Sequence, residues 1–173
     1  MNRREFFRLA TRTVTKDENC IRPPGAVEEG VFQKICKGCG KCVQACPHQS
    51  IKLVNKYPCI MPENTPCYLC KEFPCRSACE NGALNLVKTD EKNKIGMAEI
   101  DKERCSAWSG MDCRMCYIKC PFMDEAIVLD DFKPVVVHEK CVGCGICENV
   151  CFMLNGKAFI KVFPKRVSLL KEL

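Results

Sequence analysis

The sequence predicts an α+β fold of short strands and short helices, internally duplicated and held by something other than a large hydrophobic core. Three observations lead there. Eighteen of the 173 residues are Cys, a share that marks a chain as cysteine-dominated. Sixteen of these fall into four runs, each closing on a Cys-x3-Cys step. Each run is followed by a short apolar segment suited to a strand, so one small supersecondary unit recurs four times.

The core is thin for this length. The apolar share is 47% with Cys counted, and about 36% without it, below the usual range. A chain this small normally needs disulfides or metal to offset the entropy of ordering it.

The runs decide between the two. The first is Cys36-x2-Cys39-x2-Cys42-x3-Cys46-Pro47, and the fourth is Cys141-x2-Cys144-x2-Cys147-x3-Cys151. Steps of three wrap a loop around one iron–sulfur cube, and the step of four carries the last thiol along a helical turn toward another. Gly38, Gly40, Gly143 and Gly145 suit a loop whose backbone must bend and approach the sulfides closely. The second run, Cys67-x2-Cys70-x4-Cys75-x3-Cys79, and the third, Cys105-x7-Cys113-x2-Cys116-x3-Cys120-Pro121, keep the closing step but carry insertions. Sixteen thiolates are the number four 4Fe–4S clusters require. A disulfide framework fits poorly, because Cys this close together in such loops seldom pair. Structural zinc favours Cys-x2-Cys pairs set further apart.

Cys20 and Cys59 are left over and read as ordinary small thiols. His48 and His138 are the only histidines; with a full Cys set present, both read as structural. The chain has no Gly-rich phosphate loop, no nucleophile–His pairing and no paired carboxylates in a catalytic setting. These absences argue against an enzyme with its own substrate chemistry.

The strand-like segments are Ile51–Val54, Ala83–Leu86, Ala126–Leu129 and Ala158–Val162 after the runs, with Gly96–Ile100 and Pro134–Val137 leading into the later ones. Residues 1–30 form a basic arm and the Pro-rich turn Arg22-Pro23-Pro24-Gly25. Within the arm, Phe6, Ala10 and Val14 share one helical face among Arg3, Arg4, Arg8 and Arg12. Residues 164–173 are a short basic tail. Arg3, Arg4, Lys165 and Arg166 are candidate docking residues for a partner.

The formal charge of +6 counts each Cys as neutral. Four clusters with their thiolates bring it to about −2, which argues against a general nucleic-acid binder. No stretch has the ~18 consecutive apolar residues of a membrane span. Asn2-Arg3-Arg4-Glu5-Phe6-Phe7-Arg8 looks like a twin-arginine export motif, but the residues that follow are too polar for an export core. The expected location is therefore the cytoplasm, where thiols stay free for metal.

The chain resembles the ferredoxin-type proteins of periplasmic nitrate reductase systems, the MauM/NapG type and the related NapF type. The likeness runs from about residue 20 to 163. It rests on Ile21-Arg22-Pro23-Pro24-Gly25-Ala26, the first Cys run, Pro66-Cys67 through Phe73-Pro74-Cys75, the x7 insertion after Cys105, and Asp124-Glu125-Ala126-Ile127. The second run is also similar to that of four-cluster electron-transfer subunits of molybdenum oxidoreductases. That likeness implies nested wiring. Cys36, Cys39, Cys42 and Cys151 would hold one cluster, and Cys141, Cys144, Cys147 and Cys46 a second. Cys67, Cys70, Cys75 and Cys120 would hold a third, and Cys105, Cys113, Cys116 and Cys79 a fourth. Sequential pairing, first run with second and third with fourth, is the alternative.

The resemblance implies two interlocked ferredoxin-like dicluster units within residues 31–163, one from 36–54 with 135–163 and the other from 60–130. It implies an electron carrier that relays single electrons between a quinol-linked membrane subunit or soluble donor and a molybdenum reductase. An accessory role in maturation, docking on a cytoplasmic apo-reductase, is the main alternative, and a zinc-stabilised interaction module a further one. Two departures stand out. Glu80 and Phe152 replace the Pro expected after a closing Cys, and the export core of the MauM/NapG type is absent, as in the NapF type.

Overall fold

The computed structural model describes residues 20–85 and 94–165. The arm with its arginines, the Phe6–Ala10–Val14 face, Leu86 and Arg166 lie outside the described residues.

The fold is α+β with short elements throughout. A strap, residues 20–27, opens it: Ile21 bridges Ile60, whose N–H donates to the Ile21 carbonyl at 2.8 Å. Helix α1, Glu29–Ile35, starts where the Glu28 carboxylate accepts from the N–H groups of Gly30 and Val31, occupying donors that a helix start leaves open. It buries Phe32 completely and ends at Cys36, which has extended backbone. Helix α2, Lys41–Gln44, then leads to a hairpin of β1, Ile51–Val54, and β2, Tyr57–Ile60, paired Ile51↔Ile60 through Val54↔Tyr57. Its two turn residues, Asn55 and Lys56, both have positive φ, as a turn matched to strand twist requires. Helix α3, Pro74–Ser77, completes this half.

The second half follows a related plan. Strand β3, Gly96–Ile100, precedes helix α4, Met115–Ile118. A second hairpin joins β4, Ile127–Asp130, to β5, Lys133–Val136, again through two positive-φ residues, Asp131 and Phe132. Helix α5, Ile146–Asn155, closes on Gly156 in the left-handed conformation, a common helix stop. Strand β6, Ile160–Pro164, returns antiparallel to β3 with Ile100↔Ile160 in register.

Five of the six expected strands form, β1 and β3 with the expected bounds and β4, β5 and β6 with ends shifted by one or two residues. The sixth, expected at 83–86, is described only to residue 85 and forms no strand there. Ala83 and Leu84 are buried, but the Ala83 carbonyl accepts from the Val27 N–H, so this backbone pairs with the strap rather than with a strand. Strand β2 is an addition that Pro58 obscured, since Pro argues against a strand interior.

The expected division of the chain needs correction. Helix α2 packs on α3, α4 on α5 and β3 on β6, so the organisation follows chain order, 20–85 and then 94–165. Residues 36–54 find their partners in 57–79, not in 135–163. The halves meet at a seam: Cys67 N–H donates to Cys144 O at 2.8 Å, Asn149 donates to the carbonyls of Pro62 and Glu63, and Lys161 pairs with Glu63.

Candidate metal centres

All four runs present their thiols in the same way. The third Cys of each run is the second residue of a short helix: Cys42 in α2, Cys75 in α3, Cys116 in α4 and Cys147 in α5. Each is buried. Its neighbours include the free N–H groups of the helix start, which suit negative sulfur. The fourth Cys follows four residues later, one turn on, where it points away from its own loop toward the packed neighbouring helix.

Chain bending delivers this geometry. Gly40 and Gly145 precede α2 and α5 in the left-handed conformation, and Phe73 takes that role before Pro74 in the second run, at φ 43°. Gly143 has φ 74°, and a Cβ there would collide with the backbone of Gly96, so the loop lies directly on β3. The insertion after Cys105 folds as a tight turn that places Trp108 beside β5, its indole N–H donating to Pro134 O at 3.2 Å.

The thiols gather in four sets. Cys42 has its thiol pushed up to about 11 by burial, with added repulsion from Cys36, Cys79 and Cys39. Burial likewise raises Cys67 and Cys75 to about 11, and Cys46 and Cys70 act on both. Cys46, Cys67, Cys70 and Cys75 line one hollow of about 340 Å³ measured to its open mouth. Cys116 is raised to about 12 by burial and then by Cys105, Cys113 and Cys151; these four line a hollow of about 400 Å³. Cys120, Cys141, Cys144 and Cys147 line the last, of about 310 Å³. There burial raises Cys144 to about 12 and pushes Cys147 well above the usual thiol range.

The structure therefore assembles none of the four nested sets. Cys79 stands with Cys36, Cys39 and Cys42, and Cys46 with Cys67, Cys70 and Cys75. Cys151 stands with Cys105, Cys113 and Cys116, and Cys120 with Cys141, Cys144 and Cys147. The cause is helix packing. Because α2 lies on α3 and α4 on α5, each helix hands its closing thiol to the helix beside it. Sequential pairing follows from those contacts.

The donor sets fit 4Fe–4S clusters. Each hollow is ringed by four thiols, and among the described residues no three His, Cys, Asp or Glu side chains converge as a single metal ion requires. Backbone N–H groups aim at the sulfurs: Ser50 at Cys46 (3.4 Å), Ala98 at Cys141 (3.4 Å) and Phe159 at Cys151 (3.3 Å). Such donors stabilise thiolate charge and tune a bound cluster.

Several features were not anticipated from the sequence. Ser50 is buried and donates to Pro66 O at 2.7 Å, fixing the loop that enters Cys67. Pro24 of the strap lines the Cys46–Cys75 hollow. Glu148 is buried beside Cys147 and accepts from Val162 N–H at 2.6 Å. Cys20 and Cys59, read as ordinary thiols, are joined as a disulfide. His48 lies against Tyr68 with ring centroids 4.4 Å apart, and the His138 carbonyl accepts from Lys94. Glu80, which replaces an expected Pro, pairs with Lys41 across the first and second runs.

Thiol-lined hollows on short helices, paired along the chain, define a ferredoxin-type protein. The 4Fe-4S binding domain model matches residues 31–52 and 134–152. The chain is 36% identical over 164 residues to the ferredoxin-type protein NapG of Escherichia coli, covering 83% of this chain and 70% of that protein. It is 37% identical over 166 residues to the methylamine utilization ferredoxin-type protein MauM of Methylobacillus flagellatus, covering 86% and 70%. NapG of Haemophilus influenzae is 31% identical over 201 residues, covering 94% and 71%. No solved structure matches. The chain belongs to the NapG/MauM family of ferredoxin-type proteins.

Proposed function

We propose that this protein is an electron relay carrying four 4Fe–4S clusters, which when bound supply one-electron storage at four sites along the molecule. The supporting observation is the order of the four thiol sets. Cys36, Cys39, Cys42 and Cys79 adjoin the Cys46, Cys67, Cys70 and Cys75 set through packed α2 and α3. That set adjoins Cys120, Cys141, Cys144 and Cys147 across the seam, where Cys67 acts on the Cys144 thiol. Packed α4 and α5 then lead to Cys105, Cys113, Cys116 and Cys151, a set close enough for Cys116 to act on Cys147. The sixteen cysteines hold the clusters, the backbone donors at Cys46, Cys141 and Cys151 stabilise their charge, and burial keeps water from the inner sets.

The two ends are the points of exchange. Cys39 is the exposed thiol among the sixteen. At the far end Met111, Met153 and Leu154 are exposed near the Cys105–Cys151 set. The partners proposed are redox proteins: a quinol-oxidising membrane subunit or soluble donor on one side and an oxidoreductase, such as a molybdenum nitrate reductase, on the other. Among the described residues no helix is long and apolar enough to cross a membrane.

Iron, acid-labile sulfide and zinc per chain test this reading on anaerobically purified protein. About sixteen iron and sixteen sulfide support it. Several zinc with little iron, after reconstitution has also failed, contradict it.

A further inference from the structure

Cys20 and Cys59 belong to none of the four thiol sets, yet the fold brings them together. Their Cα atoms are 5.4 Å apart and their sulfurs are paired, although 39 residues separate them in the chain. Both are almost fully buried, 2% and 3% exposed. The pair ties the start of the strap to β2. Just beyond it, Ile21 takes the Ile60 N–H, and the Arg22 guanidinium lies 3.1 Å from both Cys20 Sγ and Pro58 O. Pro23 and Pro24 then run buried over the hairpin, and Pro24 forms part of the wall of the Cys46–Cys75 hollow.

We propose that Cys20–Cys59 is a native disulfide clamp, distinct from the cluster ligands, that locks the strap over this hollow. The proposal rests on the relay reading only in taking the other sixteen thiols as ligands. A disulfide persists where the surroundings are oxidising and is lost where thiol pools keep Cys reduced.

The chemistry is thiol–disulfide exchange with a disulfide-bearing oxidant. One protein thiolate attacks a sulfur of the oxidant, forming a mixed disulfide and releasing the first thiol. The second protein thiolate then displaces the other. The two Cys lose two protons and two electrons, one S–S bond forms, and the oxidant gains both as two thiols. Because the sulfurs are buried with the strap seated, exchange requires the strap to lift. In the loaded protein, bound iron would shield the ligand thiols from the oxidant.

The test uses anaerobically purified holoprotein equilibrated with glutathione at a high ratio of oxidised to reduced form. It is quenched in acid, alkylated with N-ethylmaleimide and digested for peptide mass analysis. The expected result is a linked Cys20–Cys59 peptide pair, two hydrogens lighter than the free peptides. The other sixteen Cys should be alkylated and the iron content unchanged. Alkyl groups on both Cys20 and Cys59, or links from either to a ligand Cys, would overturn the clamp. The same quench applied to intact cells of the native source should again give the linked pair; alkylated Cys20 and Cys59 there would overturn a native clamp. Iron release to a chelator should be about tenfold faster in a C20S/C59S variant than in the oxidised protein, and equal rates would count against locking. A preparation that takes up no iron would refute the relay, while the peptide linkage would still decide the disulfide.

Discussion

The backbone N–H of Cys67 donates to the carbonyl of Cys144 at 2.8 Å. This one bond joins the ligand loop of the second run to that of the fourth and sets two thiol sets side by side across the seam. Gly145, next in sequence, lies against Pro62 of the other half, where a Cβ would meet the Pro62 ring at 2.5 Å. Gly145→Ala should therefore strain both the left-handed backbone and the seam, costing about 2 kcal/mol. Thermal unfolding of the holoprotein checks this. A melting temperature equal to that of the parent would show that the seam yields without cost.

Arg22 carries much of the strap's attachment. It pairs with Glu29 at 2.7 Å with both side chains mostly buried, and lies over the rings of Phe32 and Tyr57 at 4.9 and 5.3 Å. Arg22→Ala leaves Glu29 without this partner and should cost about 2 kcal/mol, between the values of exposed and buried pairs. Arg22→Lys should recover less than half, because an ammonium lacks the planar fork. Chemical denaturation of the three proteins decides it.

Glu148 makes stability depend on pH. Burial raises its carboxyl from 4.5 to about 7, against the favourable Val162 N–H. The folded state thus prefers the protonated form. Its contribution is full below the unfolded value and is lost as pH rises from 4.5 to about 7, by at most about 3 kcal/mol. Glu148→Gln should flatten the holoprotein's melting temperature between about pH 5.5 and 8 and raise it at the upper end. A variant with the parent's slope would assign the pH dependence elsewhere.

The raised thiols make metal loading a proton-releasing step. Cys67 and Cys75 lie at about 11 and Cys116 and Cys144 at about 12, chiefly through burial. At neutral pH they are protonated in the metal-free protein, and ligation requires thiolate. Reconstitution in weak buffer should release protons and slow steadily as pH falls. Iron uptake independent of pH would contradict those protonation states.

Much of the fold was legible because its signals are local. The x2 and x3 steps specify a loop and a helical turn, and Gly38, Gly40, Gly143 and Gly145 all take the positive φ that those loops need. The direction of each closing thiol was legible too, since one turn past Cys42 necessarily carries Cys46 away from its own loop. Which hollow receives that thiol was not, because the choice depends on α2 packing against α3 rather than on any spacing. The segment 83–86 has the composition of a strand, but Val27 claims the Ala83 carbonyl from 56 residues away. Cys20 and Cys59 stand 39 residues apart, and no local pattern pairs them.

The central claim is that four thiol sets are wired in chain order, and iron counts in three variants test it most directly. Cys36→Ser, Cys79→Ser and the double variant are purified anaerobically and compared with the parent. If Cys36 and Cys79 hold the same cluster, each single variant loses about four iron and the double loses the same four. If the wiring is nested, they hold different clusters, the losses add, and the double variant lacks about eight.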